Sequence, residues 1–216
     1  NFGSTTFSEG EPGATRNGNV ITYRWTYKNP STGESFPITL TMTLFDGWDA
    51  MQKTYSTMTH SVTDGYYNFM DSDPYSGNRA GNLEMMAMYM RQLARFKHVD
   101  EVELALSFVQ SIPYQEVKGY QRYPVEVLLD GRGDCSDTAL LLAALYKELG
   151  YFYVFLSYPT QDHLAVGITN EAICPKYNPS GGERMGYQWG GRFYYFSEPT
   201  GLFRIGSMDN DLRTAP

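Results

Sequence analysis

The run TALLLAALY, residues 138–146, sets the strongest constraint on the fold. It lies inside a helix predicted over 135–149, which Gly150 ends, and its apolar residues fall on nearly every side of that helix. Such a helix cannot rest on a surface. The rest of the chain has to supply layers around it, and 216 residues are enough to do so.

The flanking segments offer those layers. After Gly150 come three strand candidates, YFYVFLS (151–157), HLAVGIT (163–169) and RFYYFSE (192–198), with NPSGG as a surface loop between the last two. Before the central helix, NLEMMAMYMRQLARF has helical spacing with Asn82 as its cap. DEVELALSFVQSI follows as a second amphipathic helix, capped by Asp100 and stopped by Pro113. The methionine cluster reads as core filler, because Met packs irregular gaps. Near the N-terminus, VITYRWTYK (20–28) and PITLTMTLF (37–45) alternate with period two around the turn formers NPSTGES, which predicts a β-hairpin. WDAMQKTYSTM fits helix or strand, and residues 64–82 read as loop. The expected organisation is a flexible lead-in over 1–19, a β-rich region over 20–80 packed on the core, and a core over 81–216. The class is α+β.

Composition removes several functions. The net charge is −7 and the pI about 5.0, with no basic run, so no nucleic acid partner is expected. Two cysteines, Cys135 and Cys174, cannot make a disulfide-stapled scaffold, although one bridge is possible on count alone. No apolar run reaches 18 residues, so no membrane span is expected within the chain. Asn1 stands where a start methionine would be, which suggests processing or truncation and leaves room for an anchor upstream. The carboxylates of DSDPYSGN and DNDL are sparse and lack the spacing of a calcium loop. Cys135, Cys174 and His163 lack the paired spacing of a zinc site, and no cofactor is expected.

The chemistry centres on DGRGDCSD, residues 130–137. Cys135 opens the central helix, where free N–H groups and the positive end of the macrodipole favour a thiolate and can hold an oxyanion. Gly131 and Gly133 leave room beside the sulfur. A nucleophilic cysteine needs a base and a group to orient the base. His163 opens the strand HLAVGIT, and Glu198 ends the strand RFYYFSE. Antiparallel pairing of those strands brings the two side chains together. Taken singly, each is an ordinary residue: a core cysteine, an edge histidine, a turn glutamate. In this chain order, the functional and structural readings weigh about equally.

YPVEVLLDGRGDCSDTALLLAALYKELGY, then HLAVGI, then YYFSEPTG, resembles the transglutaminase-like cysteine enzyme superfamily. The Gly-x-Gly-Asp-Cys-x-Asp run opening an apolar helix is its most specific part. SFVQSIPYQ and RYPVEVLLDG are similar to prokaryotic members, which are often secreted or membrane-attached. The resemblance covers most of residues 20–205. It implies a papain-like core, an extracytoplasmic location, and a catalytic triad of Cys135 as nucleophile, His163 as base and Glu198 as orienting carboxylate. Many members have Asp where Glu198 stands, and Asp162 competes for that role. The Cys135 N–H and Gln110 are the implied oxyanion donors. Asp137 reads as a first-turn carboxylate and Asp134 as a cap. The implied activity is acyl transfer on amide bonds of a protein or peptide substrate through a thioester. Water as acceptor makes a protease or amidase, and an amine makes a transglutaminase. A non-catalytic peptide-binding module on the same fold is the alternative.

Overall fold

The computed structural model describes residues 13–29, 32–61, 65–76, 81–169 and 185–207. Among them lie two antiparallel sheets and six helices, an α+β architecture. The first sheet has the order β1 (Gly13–Asn17), β2 (Val20–Lys28), β3 (Ser35–Thr43). Helices α1 (Trp48–Tyr55), α2 (Tyr66–Asp71), α3 (Asn82–Lys97), α4 (Glu101–Gln110), α5 (Pro124–Asp130) and α6 (Cys135–Glu148) follow. The second sheet has β4 (Phe152–Tyr158), β5 (His163–Thr169), β6 (Gly186–Trp189) and β7 (Arg192–Ser197), in the order β4-β5-β7-β6.

Helix α6 is the hub. Ten of its fourteen residues are buried, and it packs against α2, α3, α4, α5, β4 and β5. An all-round apolar helix has thereby found a partner on every side. The first sheet buries its alternate residues, Ile21, Tyr23, Trp25 and Tyr27 on β2 and Ile38, Leu40 and Met42 on β3. Trp25 stacks edge-on to Phe108 of α4, and its indole N–H donates to Ser107 Oγ at 3.1 Å. The Tyr23 hydroxyl donates to the Leu128 carbonyl of α5 at 2.9 Å. One apolar core runs from Ile21 to Ile205, so the N-terminal sheet is continuous with the body around α6.

Several expectations need correction. Residues 13–17 belong to a strand, not to a flexible lead-in, because the Gly18-Asn19 turn folds them back onto β2. Residues 1–12 lie outside the described residues, as do NPSGG, DNDL and Cys174. The stretch 64–82 contains the short helix α2, whose Phe69 and Met70 are buried. The ambiguous segment is helix α1, with Trp48, Met51 and Tyr55 on its buried side. Asn82 does not cap α3. Gly81 holds that position, and the buried Asn82 side chain instead accepts the Phe45 N–H at 2.9 Å. Asp100 does cap α4, accepting from Val102 N–H. Strand β6 was not anticipated, although Gly190-Gly191 makes a two-residue hairpin between Trp189 and Arg192.

Candidate active site

Three elements converge at the N-terminus of α6. The first is the turn 131–135. Asp134 caps the helix, accepting through Oδ1 from the N–H groups of Ser136 and Asp137 at 2.9 and 3.0 Å. Thr138 N–H enters the helical ladder on the Asp134 carbonyl. The Cys135 N–H has no acceptor among the described residues. It stands beside the free thiol of the same residue.

The second element is the β5–β7 pair. Its register sets Val166 opposite Ser197 and carries Glu198, one residue past the strand, toward His163 at the start of β5. Glu198 Oε2 accepts from His163 Nε2 at 2.8 Å. Its other oxygen accepts the N–H and hydroxyl of Thr200 at 2.9 and 2.6 Å. Glu198 is only 3% exposed, so both oxygens are committed in a dry setting. With Nε2 on the carboxylate, Nδ1 is the ring nitrogen left for the cleft that His163 and Cys135 line together. Burial alone would lower the His163 pKa. The bonds to Cys135 and Glu198 and their charges outweigh it and push the value up to about 9.

The third element lies beneath the turn. Asp137 is fully buried and accepts four hydrogen bonds. Oδ1 takes Gln121 Nε2 and Arg122 N–H at 2.7 and 2.8 Å, and Oδ2 takes Arg122 Nη1 and Asp134 N–H at 2.7 and 3.1 Å. Arg122 also reaches back to Asp130 at 2.9 Å, so one guanidinium ties together both ends of the cysteine turn. Gly133 is required because a Cβ there would lie 2.7 Å from Asp137 Cβ. Asp137 therefore anchors the turn and is more than a dipole-favoured surface carboxylate.

Gln110 is not an oxyanion donor. Its amide nitrogen donates to the carbonyls of Glu198 and Phe203 at 2.8 and 2.7 Å, which occupies both N–H groups and pins the segment after β7. Asp162 does not orient His163. Its residue is exposed with φ 49°, while its backbone carbonyl faces Cys135 Sγ at 3.8 Å.

Cys135 and His163 open into a cleft of about 170 Å³ walled by Tyr66, Tyr114 and Tyr158. Sequence reasoning missed the anchor of Gln121 and Arg122 and the tyrosine walls. Only the Pro124 helix start, with Glu126 accepting the Tyr123 N–H, could have announced the turn that delivers Arg122. Among the described residues no group of three or more His, Cys, Asp or Glu side chains could hold a metal ion, and no helix is long and apolar enough to cross a membrane. Comparison with protein-family models, with curated proteins and with solved structures finds no match for this chain.

Proposed function

We propose that the chain is a cysteine-dependent acyl-transfer enzyme with a papain-like, transglutaminase-like core, hydrolysing amide bonds of proteins or peptides. One observation carries this reading: His163, bonded to the buried Glu198 carboxylate, lines the same open cleft as Cys135, which stands at a helix N-terminus. In the proposed reaction the Cys135 thiolate attacks the carbonyl carbon. The carbonyl π electrons move to oxygen, where the Cys135 N–H donates to the oxyanion. As the oxyanion collapses, the C–N bond breaks and His163 gives its proton to the leaving amine. Water then adds to the thioester, His163 takes a proton from it, and the C–S bond breaks to release a carboxylic acid and restore the thiolate. A primary amine arriving in place of water would give transamidation.

Iodoacetamide labelling with peptide mass mapping tests the reading. Cys135 is expected to alkylate at pH 7 faster than the same residue in the urea-unfolded chain, and His163→Ala is expected to remove the advantage. Equal rates in the folded and unfolded chains would refute the activated nucleophile.

A further inference from the structure

The cleft walls carry a charge pattern that acyl transfer itself does not use. Glu116, Asp134 and Asp162 line the cleft, and among the described residues no lysine or arginine does. Among the described residues His163 is the one basic group in the lining, and Glu198 is bonded to it. Asp134 lines the cleft with its Oδ1 accepting the helix-cap N–H groups of Ser136 and Asp137. Glu116 and Asp162 are exposed, and neither makes an ion pair among the described residues. Lys118 and Arg132, close in sequence to Glu116 and Asp134, lie outside the lining.

The tyrosine walls feel this field. Ionisation of Tyr114 is pushed up first by burial, then by the Cys135 sulfur, Asp134, Glu116 and Asp162. Tyr66 responds in the same direction, to burial first and then to Cys135, Asp134 and Asp162. Three carboxylates converging on one concave site concentrate cations there and can raise association rates by roughly 10–10³-fold. Tyr66, Tyr114 and Tyr158 present ring surface suited to the aliphatic stem and cationic head of a long basic side chain. At about 170 Å³ the cleft is below the roughly 300–1,000 Å³ of small-molecule pockets, so it suits one or two side chains of an extended polypeptide.

We infer that this cleft selects polypeptide segments carrying lysine or arginine beside the carbonyl that Cys135 attacks, held by Glu116, Asp134 and Asp162 against the tyrosine walls. The inference rests on the acyl-transfer reading for its catalytic meaning, but the charge selection can be measured without turnover.

The test uses the full chain with Cys174→Ser, so that Cys135 is the single thiol. It is modified in turn by cationic trimethylammonioethyl, anionic sulfonatoethyl and neutral methyl methanethiosulfonate. Each rate is divided by the rate on the same chain unfolded in urea. The cation-to-anion ratio of the folded protein is expected to exceed that of the unfolded chain by about tenfold or more at low salt. It should shrink toward it at 1 M salt, where screening falls to about 3 Å. Glu116→Gln with Asp162→Asn should reduce it several-fold, and asparagine keeps the left-handed backbone at 162 accessible. A folded ratio equal to the unfolded one, or one indifferent to salt and to the double substitution, overturns the selectivity. A neutral-reagent rate no higher than that of the unfolded chain overturns the acyl-transfer reading instead, and with it the catalytic meaning of the selection.

Discussion

His163 is the residue on which the proposed chemistry turns, because its charge depends on two neighbours. Burial works against the imidazolium, while the Cys135 sulfur and the Glu198 carboxylate hold its pKa near 9. Glu198→Gln removes the carboxylate that bonds the ring, so the value is expected to move down toward the ordinary 6.5. Each unit lost corresponds to about a tenfold weaker pairing of His163 with its anionic partners. Alkylation of Cys135 at pH 7 should slow accordingly, and an unchanged rate would show that Glu198 has no part in it. The same shift has a stability consequence. The folded protein binds the His163 proton more tightly than the unfolded chain does. That contribution is therefore complete below pH 6.5 and is lost as pH rises through about 9. The urea midpoint should fall over that interval, and His163→Gln should flatten the fall.

At the scale of elements, the turn between α5 and α6 is held by a buried ion pair and not by its own propensity. Arg122 and Asp137 are both buried and meet at 2.7 Å. Arg122→Met strands Asp137 as an uncompensated charge and is expected to cost about 3–5 kcal/mol in urea unfolding. Adding Asp137→Leu removes the stranded carboxylate but leaves Gln121 Nε2 and the Arg122 and Asp134 N–H groups without their acceptor, so it should recover little stability and not restore Cys135 reactivity. Gly133→Ala should cost about 1–3 kcal/mol through the clash with Asp137 Cβ.

These elements also show what could be read from the chain alone. The α6 helix, the β5 strand and the cap at Asp100 were legible because each rests on local pattern and local hydrogen bonds. The approach of Glu198 to His163 followed from antiparallel pairing of two recognisable strands. Gln110 was misassigned because its partners, Glu198 and Phe203, are about ninety residues away and leave no trace in helical spacing. Asp137 looked like an ordinary first-turn carboxylate for the same reason, since only the fold shows that Arg122 and Gln121 meet it. Strand β1 is short and weakly patterned, and its pairing with β2 depends on the turn at Gly18-Asn19.

Over the whole molecule, a single core joins the N-terminal sheet to α4, α5 and α6. Trp25, 2% exposed, links that sheet to α4. Trp25→Ala is expected to cost about 3–5 kcal/mol. Unfolding of the parent chain, followed by tryptophan fluorescence and by far-ultraviolet circular dichroism, should give coincident transitions. Two separate transitions would mean that the sheet is an independent unit. The same body holds β5, β7 and α6 in fixed relation, and the Tyr146 hydroxyl ties α6 to Ser197 beside Glu198 at 3.2 Å. The proposed chemistry depends on that rigidity bringing sulfur and imidazole together. The most direct measurement is an NMR titration of the His163 ring in the parent chain and in Cys135→Ala. A ring that titrates near pH 9 in the parent and clearly lower once the sulfur is gone is the expected result. A ring that titrates near 6.5 in both proteins would contradict the pairing on which the proposed nucleophile rests.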